Sequence, residues 1–144
     1  RYSDNAMAKR YSDALTYVEY NRSSIEEMQS QVGDLALDKD GIAKNGLIIR
    51  LLVLPNEVSG TKQSLKFIKD RISRNAALSI MSQYYPTFKA HNFKEISRRI
   101  EKSEYDNVVD EAYYLGLNNG WVQKYEEKSD EKFLGINIRP KKGL

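Results

Sequence analysis

The ten residues from Gly46 to Pro55, GLIIRLLVLP, most constrain what this chain can fold into. A nearly unbroken apolar run between a glycine and a proline stop reads as one strand. A helical pattern follows from Gly60 (GTKQSLKFIKDRIS), then a second apolar strand from Ala77 to Pro86 (ALSIMSQYYP). Two strands joined by a crossover of that length pair in parallel, which predicts an α/β layer. Leu47 to Leu54 is apolar enough to predict cover on both sheet faces, as in parallel sheets generally.

Arg50 interrupts that run. A guanidinium buried there needs a partner, because desolvating it alone is costly. Two readings stay open: an arginine satisfied by a core carboxylate or backbone carbonyls, or one on an open concave face holding an anionic or polar ligand. The loop Asn56 to Ser59 lies at the carboxyl end of the strand, where ligands bind in α/β folds. Gln83, Tyr84 and Tyr85 occupy the same end of the second strand. They read equally as a site and as a tyrosine rim that closes the core.

The flanking segments are read from periodicity and caps. Ser3 or Asp4 caps a short helix over Asn5 to Tyr11, and a longer helix runs from about Thr16 to Val32. Val18, Ile25, Met28 and Val32 form its apolar stripe, Ser23 and Ser24 offer a restart cap, and Gly33 stops it. DLALD and GIAK flank a tight turn at Asp40-Gly41 and form a small hairpin outside the main sheet. Asn45-Gly46 is a second turn into the main strand. In the crossover helix Leu65, Ile68 and Ile72 share a face. Ser103 caps a last helix (EYDNVVDEAYYLGL) whose buried stripe is Tyr105, Val108, Val109, Ala112 and Leu115. Trp121-Val122 starts a short strand. The chain is thus one domain over residues 1–125, followed by a charged tail, 126–144, in which FLGINI is a candidate edge strand.

Composition narrows the function classes. The 144 residues carry 40% hydrophobic and 30% charged side chains and a net charge of +3, ordinary for a globular domain. Basic residues alternate with acidic ones, with small clusters only at Arg98–Arg99 and Arg139–Lys142, so no nucleic-acid face is expected. No run approaches the roughly 20 apolar residues of a membrane span. Absence of cysteine excludes disulfides and thiolate metal sites and fits a cytoplasmic protein. The one histidine, His91, reads as an ordinary surface residue. No phosphate-binding glycine loop, nucleophile elbow or HExxH is present. No catalytic or metal-binding residues are therefore predicted within the chain.

Four strings in order, GDLALDKDGIAKNGLIIRLLVLPN, SGTKQSLKFI, MSQYYPTFKAHNFKEISRRI and YDNVVDEAYYLGLNNGWVQ, resemble one family over Ser3 to Gln123. It is the pyruvate formate-lyase-activating-enzyme-like branch of the radical S-adenosylmethionine proteins. The resemblance implies a fragment of an open (β/α)6 partial TIM-type barrel with parallel strands. It also implies S-adenosylmethionine and a 4Fe–4S cluster as cofactors of the parent protein, held in part by a CxxxCxxC loop. Neither is expected in this chain alone, which lacks that loop and the early strands. Relatives carry an aspartate-x-lysine pair just before the segment matching Tyr2 to Ser12, histidine where Leu51 stands and cysteine where Thr87 stands.

By the same resemblance, Arg50 matches an arginine near the cofactor's ribose and Leu52 an apolar residue against its adenine. Tyr84, with Gln83 beside it, falls where sixth-strand residues contact the cofactor. Two expectations follow. In one, the chain is the carboxyl-terminal half of an activating-type enzyme whose partner is a glycyl-radical enzyme. In the other, it is a non-catalytic binding or interaction module that covers its exposed sheet edge by forming a homo-oligomer or binding a partner. A nucleic-acid module is a weaker third.

Overall fold

A computed structural model describes residues 1–125, and every statement below concerns those residues. In chain order the elements are α1 (Asn5–Ser12), α2 (Tyr17–Val32), β1 (Ala36–Leu37), β2 (Ala43–Asn45), β3 (Ile48–Leu52), α3 (Thr61–Phe67), β4 (Ala77–Met81), α4 (Lys102–Tyr114) and β5 (Gly120–Val122). One wider helical turn, Ile68–Ile72, continues α3, and 3-10 turns cover Pro55–Glu57, Phe88–Asn92 and Lys94–Ile96. The candidate strand FLGINI lies outside the described residues. No described helix is long and apolar enough to cross a membrane.

The parallel unit forms as its spacing predicts. β3 pairs with β4 in parallel from Ile48↔Ala77 to Leu52↔Met81, and β5 pairs in parallel on the other side of β4. Ile49, Leu51 and Val53, with Leu78 and Ile80, point into the main core. There they meet Leu65 and Ile68 of the crossover helix and Tyr105, Val108 and Ala112 of α4.

Cover on both faces, predicted from the apolar run, does not occur. Exposure alternates along β3, with Ile49 and Leu51 buried but Ile48 and Arg50 exposed. Alternation of side chains sends Ile48, Arg50 and Leu52 to the face opposite the helices. Composition alone misleads here, because apolar residues on both faces do not create a second helical layer. Only the carboxyl end of that face is roofed. There Tyr2, Ala8 and Leu54 form a second small core, with Tyr11, Tyr17, Leu52 and Tyr84 packed against it.

Several local expectations need correction. Met28 and Val32 of the α2 stripe are exposed, since only Val18 is buried and Ile25 partly so. α2 meets the rest of the domain chiefly through α1 and the Ile68–Ile72 turn, a shorter surface than its stripe. The helix runs through Ser23 and Ser24 without a restart. Its first turn is capped from a distance: Asn5 Oδ1 accepts from the Val18 amide at 2.9 Å. The β1–β2 hairpin turns at Asp38–Gly41, where Asp38 Oδ1 accepts from the amides of Asp40 and Ile42. Asn45-Gly46 is not a turn: Asn45 ends β2, and Gly46 passes Asp34 so closely that a Cβ would sit 2.4 Å from its carbonyl oxygen.

α4 starts at Lys102 with Glu101 as its N-cap, so Ser103 lies inside the first turn. Glu104 reaches back to the Glu101 amide at 2.8 Å, the return arm of a capping box. On the buried side of α4 the Tyr105 hydroxyl faces two carbonyls, Ile80 at 2.9 Å and Gln123 at 2.7 Å. It thus ties β4 to the segment after β5, and burial pushes its pKa up to about 12. Tyr105→Phe is expected to destabilise the domain by about 1–2 kcal/mol, because the one hydroxyl proton shared between these carbonyls is lost. A urea-denaturation midpoint unchanged from wild type would contradict that role.

Candidate functional site

Arg50 and Leu52 leave the sheet on its bare face, side by side at i and i+2, while Met81 is the β4 partner of Leu52. Gln83 follows two residues after β4. The amino-terminal segment supplies the opposite wall, held by a hydrogen bond from the Ser3 amide to the Ser59 carbonyl at 2.9 Å. Between them lies a hollow of about 480 Å3, lined by Tyr2, Ser12 and Tyr17 opposite Arg50, Leu52 and Gln83. A second hollow of about 320 Å3 opens beside it, walled by Tyr11, Leu54, Tyr84, Tyr85 and Ile96. Arg1, Tyr2, Ser12, Leu52 and Gln83 line both, so the two are lobes of one cleft.

Arg50 is exposed rather than buried. Its Nη2 contacts Met81 Sδ at 2.9 Å, and a thioether is a weak acceptor. No described carboxylate or backbone carbonyl pairs with it, which removes the reading of a core-satisfied arginine. Gln83 is half-buried. Tyr84 is committed: its hydroxyl donates to the Ile96 carbonyl at 2.7 Å, and burial raises its pKa. It therefore presents the cleft with a ring rather than a free hydroxyl. Of the four residues singled out from the sequence, Arg50, Leu52 and Gln83 meet in the first lobe, and Leu52, Gln83 and Tyr84 in the second.

Sequence reasoning missed the aromatic wall. Tyr2 stacks on Tyr11 with centroids 6.5 Å apart and meets Tyr17 edge-on at 5.6 Å. Tyr2 also shares a hydrogen bond with Ser12 Oγ at 3.0 Å. The count of ten tyrosines was the available signal, yet nothing local places residue 2 beside residue 83.

The loop after β3, expected to meet a ligand, is instead satisfied by the protein. The Asn56 amide donates to Glu104 Oε1 at 2.6 Å, its side-chain amide donates to the Glu95 carbonyl at 2.7 Å, and its Oδ1 accepts from Arg98 at 3.1 Å. Arg98 grips both oxygens of Glu104 at 2.8 Å in a fork. Arg98, one of the basic pair noted in the sequence, is thereby consumed; Arg99 lies over the Tyr85 ring at 4.8 Å. The Arg98 fork, with the backbone amides of Glu101 and Asn56, holds Glu104 down to a pKa of about 2.

Glu104 therefore stays ionised in the fold below its ordinary value of 4.5. Its folded pKa is depressed, so its contribution is present above that ordinary value and lost as pH falls from there to about 2. Glu104→Gln is expected to lower stability at pH 7 by about 1–3 kcal/mol and to flatten this acid limb. Parallel stability–pH curves for wild type and variant would contradict the assignment.

No group of three or more histidine, cysteine, aspartate or glutamate side chains among the described residues is placed to hold a metal ion, and His91 is exposed. With no cysteine, the chain offers no thiolate to an iron–sulfur cluster.

Compared with curated proteins, the chain is 35% identical over 74 residues to an uncharacterized protein of Methanocaldococcus jannaschii. The aligned part covers 49% of this chain but 22% of that protein, so the chain spans about a fifth of the relative's length. No protein-family model matches the chain. No solved structure matches it either.

Proposed function

We propose that the chain is the carboxyl-terminal half of a radical S-adenosylmethionine protein of the activating-enzyme type, a segment of an open partial barrel. The observation that carries this reading is the convergence of Arg50, Leu52 and Gln83 toward the carboxyl ends of two parallel strands, on the face away from α3 and α4. In a barrel that face is the interior, and carboxyl-end residues form the site. When bound, S-adenosylmethionine supplies the radical chemistry in such proteins. Here Arg50 donates to ribose oxygens, Leu52 packs against the adenine, the Gln83 amide serves as an adjacent hydrogen-bonding group, and Tyr84 closes the wall. The cluster ligands belong to another part of the protein, since this chain has none to offer. A glycyl-radical enzyme is the corresponding partner.

Two measurements test this. Reading frame upstream of Arg1 is expected to encode a CxxxCxxC loop and, nearer, an aspartate-x-lysine pair; a frame without the cysteine loop overturns the reading. S-adenosylhomocysteine, titrated calorimetrically, is expected to bind the chain weakly and Arg50→Ala about tenfold more weakly still, as loss of a charge-assisted hydrogen bond implies. Binding that ignores Arg50 would contradict the assigned role.

A second reading, an interaction module without chemistry, is favoured by the outer edges of β3 and β5, along which no other strand of the described residues pairs. It predicts a dimer in sedimentation at micromolar concentration, and a monomer with no partner counts against it.

A further inference from the structure

The sequence holds two asparagine–glycine pairs, Asn45-Gly46 and Asn119-Gly120, and the fold treats them differently. In such a pair the glycine amide nitrogen can attack the asparagine side-chain carbonyl, because no Cβ screens the approach. Attack needs a side chain at liberty to swing back, a glycine amide outside the hydrogen-bond network and a backbone that can turn. Asn119 is pinned. Its Nδ2 donates to the Asn75 carbonyl at 2.9 Å, and its own carbonyl accepts from the Leu78 amide at 2.9 Å. Gly120 lies in β5, so close to β4 that a Cβ would sit 2.0 Å from the Leu78 carbonyl oxygen. Asn45 is exposed, and its side chain makes one long hydrogen bond, from Nδ2 to the Val32 carbonyl at 3.5 Å. The Gly46 amide donates to no acceptor among the described residues, whereas the next amide, Leu47, donates to Gly33. Asn45 ends a three-residue strand whose partner β1 has two residues, and so short a ladder opens at little cost.

We infer that Asn45 is a site of spontaneous covalent modification, a deamidation through a succinimide that the fold permits at residue 45 and suppresses at residue 119. The Gly46 nitrogen gives up its proton and bonds to Asn45 Cγ. The Cγ–Nδ2 bond breaks, and the nitrogen takes up that proton and leaves as ammonia. Water then opens the five-membered ring at either of its carbonyls, giving aspartate or isoaspartate. One water is consumed and one ammonia released, with no oxidant or reductant. The isoaspartate product adds a methylene to the main chain between β2 and β3. That shift moves Gly46 off Asp34 and disrupts the Asp34–Leu47 bridge that leads into β3. Modification thus loosens the hairpin from the strand that carries Arg50.

The test is incubation of the folded full chain in warm, mildly alkaline buffer, with samples digested over time and both peptides followed by mass spectrometry. The peptide holding residue 45 is expected to gain one mass unit and to become a substrate for an isoaspartate-specific methyltransferase. Residue 119 is expected to convert at least about tenfold more slowly, because its two hydrogen bonds must break first. In urea, where those bonds are gone, the two sites should convert at similar rates. Asn45→Gln, a change at an exposed position that lengthens the ring to be closed, should remove the methyltransferase signal from the folded chain. An unchanged residue 45, equal rates at the two sites in the folded chain, or faster conversion at residue 119 would each overturn the inference. So would a tenfold gap that persists in urea, since the fold would then not be its cause.

Discussion

Parallel pairing of β3 with β4 is the constraint on which the remaining structure rests. A parallel pair requires a crossover, and the crossover helix must pack on one face of the sheet. α4 then joins the same face by burying Tyr105, Val108 and Ala112 beside Leu65 and Ile68. With both helices committed to one side, the other side of β3 is left to Ile48, Arg50 and Leu52. An arginine with no carboxylate partner in the middle of an apolar strand is tolerable on such a face because its charge remains hydrated. The exposure of Arg50 and the presence of a cleft are thus two results of one asymmetry.

That asymmetry explains which parts of the fold could be read in the sequence. The strand–helix–strand unit is encoded locally, in the run Gly46 to Pro55, in Leu65 and Ile68 at helical spacing, and in the crossover length. The hairpin turn is equally local, because Asp38 and Gly41 carry its geometry themselves. Whether the second face of β3 is covered is not local. Ile48 and Leu52 look like core residues, but burial depends on how many layers surround the sheet. The exposed Met28 and Val32 of α2 make the same point, as does the cap of α4. There Glu101, not the more usual serine, starts the helix because Glu104 is drawn back by Arg98 and Asn56.

The cleft was half legible. Gln83 and Tyr84 follow the end of a strand, a position that topology predicts, and Arg50 stands out as the one charge inside an apolar strand; Leu52 was implied only by the family resemblance. Tyr2, Ser12 and Tyr17 reach the same place only because the amino-terminal segment crosses over the carboxyl end of β3, and no periodicity encodes that crossing. Asn56 shows the opposite error. Its position at a strand end suggested ligand contact, but every polar atom of its side chain, and its backbone amide, is already paired within the fold.

The Ser3–Ser59 hydrogen bond has a practical corollary for anyone handling the protein. It brings the first residues to the rim of the cleft, with Arg1 lining both lobes. Any polypeptide joined ahead of Arg1, whether an affinity tag or a fused domain, emerges at that rim. A fusion placed ahead of Arg1 becomes a neighbour of whatever occupies the cleft.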